Sequence, residues 1–320
     1  MPSTIFTVFT PTYNRCATIY RVYDSLRAQT FTNFEWLIVD DSDDPSDSTG
    51  DQVKEWQLEA SFPIRYLHRT SRGKHLAWNV AVDMAHGEFF LSIDSDDSCR
   101  PEALQIFYDT WQSIPETERS RFTGVSANTE DEQGNLSGTK FPHSPMDSDS
   151  MEIRYRYKVQ GEKWGFHRTS VMQEFKFPNV ENASYFPEFV LWSRIATKYK
   201  TRFINDVLRV WYQPTTDKGR LTQAPGWSNA LARMMADGAR LDEAAKWFPY
   251  APWPFLKSAI CYSRRGFHAG KTLAEQWHGL RKLQSKVLWL ITLPMGIMAF
   301  TVDSVRKHYM RNNQTRYNAF

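Results

Sequence analysis

An α/β fold built on a parallel sheet is what this sequence predicts, and two patterns predict it. From Ile5 to Ser113, short β-branched or aromatic runs alternate with segments whose apolar residues recur at helical spacing. Three of the runs also end in polar or acidic loops, which parallel strands would gather at one edge of a sheet, where open α/β folds bind ligands. The short connections imply βαβ units with right-handed crossovers.

The elements follow in order. Ile5 to Phe9 is the first strand, stopping at the loop Thr10-Pro11-Thr12-Tyr13-Asn14-Arg15, and Ile19, Val22, Tyr23 and Leu26 mark a helix. Phe34 to Val39 is a second strand, ending in Asp40, Asp41, Asp43 and Asp44. A helix around Val53 to Leu58, a strand from Ile64 to Leu67, a basic loop from Arg69 to Lys74 and a helix from Leu76 to Ala85 come next. Gly87 then bounds the strand Phe89 to Ile93, which runs into Asp94, Asp96 and Asp97. Pro101 suits the first turn of a helix reaching Ser113. Phe122 to Ala127 is a strand, 128–150 an excursion loop, and Gly161 to Arg168 a strand or turn. Phe186 to Tyr199 is predicted as one helix, Thr201 to Ile204 and Val207 to Tyr212 as two strands, and 214–226 as a loop. Beyond Trp227 the chain reads as helical and basic.

The acids after Ile93 carry the chemistry. Three close carboxylates repel one another unless a positive charge lies among them. A hard cation such as Mg²⁺ or Mn²⁺, shared with diphosphate oxygens, suits such an all-oxygen cluster. The same residues also suit a solvated turn that caps the next helix, and the acids alone leave both readings open.

Composition sets bounds. With 320 residues, 41% of them hydrophobic, the chain has enough apolar surface for a large domain with an appendage, or for two domains. Its 39 basic and 36 acidic side chains are too balanced to suggest nucleic-acid binding. Cys16, Cys99 and Cys261 are too scattered for a zinc site or a disulfide framework, which fits a reducing compartment. The N-terminus shows no basic stretch followed by an apolar one, so the cytoplasm is the expected location.

The tail carries a second signal. Val287 to Val302 is apolar apart from two threonines and an interruption at Pro294 and Gly296, and it is shorter than the roughly 20 residues a transmembrane helix needs. Lys282 and Lys286 precede it, and Arg306, Lys307 and Arg311 follow. With Trp253, Trp277 and Trp289 nearby, a helix lying in the surface of an anionic membrane is expected. A buried core helix or a dimer contact would also fit.

Together these segments resemble the family 2 glycosyltransferases, enzymes of the GT-A fold that use nucleotide-sugars. The segments are Phe-Thr-Pro-Thr-Tyr-Asn-Arg at 9–15, Leu-Ile-Val-Asp-Asp at 37–41, Gly-Lys-His-Leu-Ala-Trp-Asn at 73–79, Ala-His-Gly-Glu at 85–88, Asp-Ser-Asp-Asp at 94–97 and Pro-Glu-Phe-Val-Leu-Trp-Ser-Arg at 187–194. The resemblance implies a mixed, Rossmann-like sheet flanked by helices, with a catalytic domain at 1–213 and a helical appendage at 214–320. It implies inverting transfer of a hexose-type sugar from a UDP-like donor to a hydroxyl of a glycan or lipid-linked acceptor, in cell-surface polysaccharide synthesis. Pro11, Tyr13, Arg15, Asp41, Lys74, Asp94, Ser95, Arg209 and Tyr212 would hold the nucleotide-sugar. Asp96 is the first choice for a Mn²⁺ or Mg²⁺ ion, with Asp94 and His167 beside it and Asp97 able to replace either acid. Trp164 and Trp192 would shape the acceptor pocket, and Lys218 and Arg220 would assist a closing loop.

Glu188 falls on the position of the catalytic base, but Pro187 stands where the family carries a second acid. That departure keeps open a non-catalytic binding module on the same fold. A nucleotidyltransferase is the other alternative, although residues 10–15 lack the glycines its first loop would carry.

Overall fold

The computed structural model describes residues 4–70, 73–180, 183, 185–213 and 227–317, with the side chains of the last helix described as far as Lys307. The chain divides into two compact units, Met1–Asn179 with Arg194–Asp217, and Val180–Ser193 with Lys218–Phe320.

The first unit holds β1 (Phe6–Thr12), α1 (Tyr20–Arg27), β2 (Phe34–Asp40), α2 (Thr49–Glu59), β3 (Ile64–His68), α3 (Lys74–Met84), β4 (Phe89–Ser92) and β5 (Ser98–Cys99). It continues through α4 (Ala103–Gln112), α5 (Glu116–Arg119), β6 (Phe122–Asp131), β7 (Met146–Ser148), α6 (Ser150–Tyr155), β8 (Lys163–Arg168) and α7 (Thr169–Glu174). After α8 (Phe189–Ile195), β9 (Lys200–Trp211) completes the sheet. The strands run β3-β2-β1-β4-β8-β6-β9-β5, with β7 also paired to β9. Strands β3, β2, β1 and β4 are parallel; β8 is antiparallel to both β4 and β6. The sheet is therefore mixed.

Parallel strands covered on both faces read as continuous apolar runs, and every residue of β2 is buried. Phe6, Phe89 and Phe166 meet on one face, with Phe89 and Phe166 ring centres 4.5 Å apart. Leu104, Phe107 and Trp111 place one stripe of α4 on this cluster. Gly87 admits the start of β4 beside β1: a Cβ there would lie 2.3 Å from the Thr7 nitrogen. Its N–H donates to Thr7 Oγ1 at 2.8 Å, and its carbonyl accepts from Thr169 Oγ1 at 2.6 Å.

Three segments differ from the sequence reading. Residues 200–211 form one strand, not two, because the polar pair Asn205-Asp206 marks a register shift where β9 passes β6, not a turn. The Asn205 side chain bonds the Phe141 backbone in both directions, at 2.9 and 3.1 Å. The stretch 128–150 is not all loop. Strand β6 runs to Asp131, whose carboxylate accepts from Gln133 N, Asn135 N and Asn135 Nδ2 to close a turn, and β7 then pairs with β9. The helix at 186–199 is confined to α8.

His167 lies within β8 opposite Phe90, short of the end of β4, and its Nδ1 is 2.9 Å from Thr123 Oγ1. It stands in the sheet and not with the acids after Ile93, which corrects its expected place as a metal ligand.

The second unit is helical: α9 (Ala230–Glu243), a 3-10 turn at Ala245–Tyr250, α10 (Pro252–His268), α11 (Leu273–Gly279) and α12 (Leu283–Tyr317). Helix α12 runs through Pro294, so the expected interruption is absent; the proline sits on the exposed side of the helix.

Burial pushes the His167 ring down to about 4. A ring that binds its proton more weakly when folded contributes stability that is complete above pH ~6.5 and is lost as the pH falls toward ~4. Unfolding free energy measured in urea should drop by up to about 3 kcal/mol across that window, and His167→Gln should remove most of the slope. An unchanged slope in the variant would assign the acid sensitivity to other groups.

Candidate active site

The acid loop leaves β4 at Ser92 and is held from several directions. Asp97 N–H donates to the Asp94 carbonyl at 3.1 Å, forming a turn. Beneath it, Trp164 Nε1 donates to the Ser92 carbonyl at 2.6 Å, and the Trp164 ring is buried against Phe107. Arg21, from α1, donates to the Asp96 carbonyl at 3.0 Å. Downstream, β5 pairs antiparallel with β9, setting Cys99 opposite Arg209 and Ser98 opposite Val210.

That pairing delivers Arg209 into the loop. Its Nε donates to Asp97 Oδ2 at 2.7 Å, Nη2 to Asp94 Oδ2 at 3.0 Å and Nη1 to Glu162 Oε1 at 3.1 Å. Tyr212 N–H donates to Asp97 Oδ1 at 3.3 Å, and the Arg21 guanidinium lies 4.2 Å from the Tyr212 ring centre. From the start of α3, Lys74 Nζ donates to Asp94 Oδ1 at 2.8 Å.

The charges sort themselves by burial and partner. Burial works against an ionised Asp94, but Lys74 and Arg209 outweigh it and hold the carboxyl well below the usual carboxylate range. Burial also works against the Arg209 charge, yet Asp94, Asp97 and Glu162 prevail and hold it firmly protonated. Burial raises the Asp97 carboxyl and Arg209 opposes that; because the guanidinium stays charged and gives it two hydrogen bonds, the pair is ionic. The Asp96 carboxylate differs from both. It is half-buried, and among the described residues no cation or donor reaches it.

Acidic residues also cluster at the end of β2, on the same edge of the sheet and beside the loop that follows β1. Asp40 is structural: it accepts from Ser42 N at 2.9 Å and from Tyr66 OH at 2.6 Å. Asp41 N–H donates to the Thr12 carbonyl at 3.0 Å, and its carboxylate is gripped by Arg69 through Nε and Nη2, both at 2.9 Å. Asn14, in the left-handed region at φ 53°, laces the two loops: its N–H donates to Ser42 Oγ at 2.8 Å and its side chain accepts from the N–H groups of Asp43 and Asp44. Tyr13 beside it is 48% exposed, and its hydroxyl is raised by a hydrogen bond with Asp43.

The structure thus brings together Lys74, Asp94, Arg209 and Tyr212 in one network, and Tyr13 with Asp41 in neighbouring loops. Pro11 is half-buried, Ser95 is buried and Arg15 is exposed. Two expectations are corrected. Trp164 is 3% exposed and supports the acid loop from below, so it offers no platform for an acceptor. Arg209 points into the acids and is 6% exposed, so it is a structural cation of the loop, not a free hand at its mouth. Glu188 and Trp192 belong to the second unit; Glu188 is half-buried just before α8, and its carbonyl accepts from Leu191 N at 2.9 Å. Arg72, Lys218, Arg220 and the loop 214–226 lie outside the described residues. Arg69, Arg21 and Glu162 escaped the sequence reading, since a single charged residue on a helix or loop carries no spacing signal.

Among the described residues no three His, Cys, Asp or Glu side chains form a metal cage. The donors at Asp94 and Asp96 are nonetheless all oxygen, and a Mg²⁺-type site commonly takes only one or two carboxylates and completes its shell with water and phosphate. Asp94 keeps 34% of its side chain exposed, and Asp96 has no competing cation, so the residues present fit such an ion.

Residues 7–174 match the family described as glycosyl transferase family 2. The poly(ribitol-phosphate) beta-N-acetylglucosaminyltransferase TarS of Staphylococcus aureus is 36% identical over 102 residues, which are 31% of this chain and 18% of that protein. The chain therefore spans under a fifth of that relative's length. Among solved structures, S. aureus TarS 1-349 in complex with UDP-GlcNAc superposes with a TM-score of 0.60 at 18% identity, covering 92% of this chain and 81% of that one. The mannosyltransferase PcManGT from Pyrobaculum calidifontis, in complex with GDP-Man and Mn²⁺, superposes with a TM-score of 0.51 at 16% identity, covering 95% and 91%. These likenesses show a shared fold.

Removing one partner of a buried ion network strands the others. Arg209→Met should lower the unfolding free energy by about 3–5 kcal/mol, measured by urea titration. Adding Asp97→Asn should recover part of the loss by removing the stranded charge. A single variant as stable as the parent would deny Arg209 its structural part.

Proposed function

The chain belongs to glycosyl transferase family 2, and from that premise we propose that it transfers a sugar, with inversion, from a nucleoside diphosphate donor of the UDP type to a hydroxyl of a glycan or lipid-linked acceptor. The observation that carries this reading is the inequality among the three acids. Lys74 and Arg209 hold Asp94, Arg209 holds Asp97, and no described residue engages the Asp96 carboxylate, which lies after β4 at the edge of the sheet where open α/β folds bind ligands.

Each residue then has a task that its chemistry allows. Tyr13 presents an exposed ring for a base to stack on. Asp41 is an acceptor-only group, and Arg69 fixes its plane, so a ring N–H of a uracil-type base is its natural partner. Pro11, Arg15 and Ser95 border the same edge and complete the donor site. Asp96, with Asp94, would hold a Mn²⁺ or Mg²⁺ ion, which when bound neutralises diphosphate charge and stabilises the departing nucleoside diphosphate. Lys74, 35% exposed, lies beside Asp94 and supplies a positive charge at the place where diphosphate oxygens would arrive. Arg209 and Tyr212 keep the acid loop in one shape while this happens. Glu188 takes the proton from the acceptor hydroxyl as it attacks the anomeric carbon, and Trp192 offers the acceptor an apolar face.

TarS is named for adding N-acetylglucosamine to a poly(ribitol-phosphate), which supports a hydroxyl-rich surface polymer as the acceptor class here. The location we assign is the cytoplasmic face of the cell membrane, reached through 287–302.

The test is divalent-ion-dependent consumption of UDP-, GDP- and TDP-sugars by the full chain, alone and with hydroxyl acceptors. A UDP-sugar should be consumed in Mn²⁺ or Mg²⁺ and spared in chelator. Asp96→Ala should cost at least about 100-fold in turnover with an unchanged melting temperature. Glu188→Gln should bind donor normally by calorimetry and lose about 10²–10⁴ in transfer. Full activity in Asp96→Ala would remove the ion from that residue, and full activity in Glu188→Gln would require another base.

A further inference from the structure

Helix α12 is built inside out, and from this we infer that its outer face binds an anionic phospholipid surface while the helix lies in the plane of the bilayer. The inference rests on the membrane-surface part of the proposed function and is independent of the transfer chemistry.

The inward face is largely polar or small, with the rings of Trp289 and Phe300 packed against Trp277 and Phe267. Ser285, Trp289, Thr292, Gly296 and Asp303 recur at intervals of three, four or seven residues and are buried. Ser285 Oγ donates to the Leu241 carbonyl at 2.8 Å, and Trp289 Nε1 donates to Gln276 Oε1 at 3.3 Å. Asp303 accepts from Arg264 Nε and Nη2, both at 2.6 Å, and lies 2.9 Å from His268 Nε2. At Gly296 a Cβ would stand 2.5 Å from Ser263 Cβ and 3.0 Å from the Ile260 carbonyl, so α12 and α10 meet closely there. Small residues at a tight helix contact and hydrogen bonds kept inside are what a helix needs when its other side faces hydrocarbon.

The outward face supplies that other side. Leu290, Ile291, Met295, Met298, Val302 and Val305 follow one another along the helix, the least exposed being Val302 at 48% and the most Ile291 at 68%. They extend over roughly 22 Å at 1.5 Å per residue. A helix of a water-soluble domain carries the opposite pattern, with its apolar stripe turned inward.

Charge decides what covers the stripe. From Gln276 to Lys307 the only acid is Asp303, and it is 2% exposed and paired. Arg281 is taken up by Glu243. Lys282 and Lys286 remain at one end of the stripe, Arg306 and Lys307 at the other, with no carboxylate paired to any of them among the described residues. A second copy docked through the same stripe would set cation against cation in either direction. Anionic headgroups would instead neutralise both rims as the stripe sinks between them.

Packing decides the orientation. By length and composition, Leu283–Lys307 could cross a membrane. Its inner face is nevertheless fastened to α10, which exposes Lys257 and carries Arg264 and His268 toward Asp303. A crossing helix would draw those charges into hydrocarbon, where they are costly. Lying flat, only the outer stripe enters, to a depth of about 5–10 Å.

The full chain is floated on a density gradient with vesicles of phosphatidylcholine, or of phosphatidylcholine mixed with phosphatidylglycerol. It should float with the mixed vesicles and bind the neutral ones at least about tenfold more weakly. Ile291→Ser with Met298→Ser, and separately Lys282→Glu with Lys286→Glu, should each lose most of the binding. Alkaline carbonate should strip the bound protein. Thermal melts identify any variant that fails to fold, and Val302→Ser then replaces the apolar pair. Absence of flotation, flotation untouched by the charge reversals, resistance to carbonate, or a solution dimer split by the apolar pair would each overturn the inference. Donor consumption is measured on the same preparations: a parent chain that turns over donor without floating sinks this inference alone, and a parent chain that floats without turnover sinks only the transfer reading.

Discussion

Arg209 is buried among Asp94, Asp97 and Glu162, and the form of the acid loop depends on that one charge. Three carboxylates in four positions repel each other, and burial makes the repulsion worse. A guanidinium relieves it through several directional bonds at once, which a lysine ammonium on a flexible stem does less well. The sheet exists in the right order to deliver it. Strand β5 is only two residues long, yet its pairing with β9 places Cys99 opposite Arg209 and so closes the loop from the downstream side. Upstream, Trp164 on β8 fastens Ser92. The loop is therefore held by three strands besides the one it follows, and Asp96, half-exposed at its crest, is the carboxylate that none of them engages.

Much of this fold is legible in the sequence because central parallel strands must be apolar throughout. Strands β1 to β4 stand where their apolar runs stand, and the acids that end β2 and β4 lie at one edge because the strands are parallel. What the sequence hides is direction. Trp164 looks like a sugar platform when read as an isolated aromatic, yet it alternates with Phe166, and both rings turn toward Phe107. The period of two was there to be read, and it would have placed His167 on the opposite side from Trp164. Arg69 gives no such signal. Its bidentate hold on Asp41 joins residues 28 apart and depends on how the loop after β3 returns over the end of β2. Asn205 and Asp206 misled for a related reason, since polar residues interrupt a strand's pattern equally at a turn and at a bulge.

The helical unit obeys the same rule about buried charge and reverses the usual rule about apolar surface. Asp303 is as buried as Asp97, and it too is satisfied by an arginine, here Arg264, with His268 beside it. Composition along α12 shows an apolar segment with basic ends; it does not show which side is packed. Only the contacts with α10 reveal that Gly296 and Asp303 face inward while Ile291 and Met298 face out. Pro294 and Gly296, which look like a break, serve instead as an outer ring and a point of close approach.

The charge balance of the acid loop bears on how a donor would enter it. Among the described residues, Asp94, Asp97 and Glu162 share Arg209, Lys74 adds to Asp94, Arg21 reaches the Asp96 carbonyl, and the carboxylate that no cation or donor engages is that of Asp96. A diphosphate approaching this edge alone would add its own negative charge to a group that already repels it, at a distance where screening by salt is incomplete. Lys74 cannot resolve this unaided, because releasing Asp94 to meet a phosphate would only move the deficit from one oxygen to another. On the proposed reading, a diphosphate would therefore enter this edge more readily with a cation than alone. Reciprocity would then require that each raise the affinity for the other by the same factor, and this chain's share of that coupling would reside in Asp96, the loop carboxylate that no described residue engages.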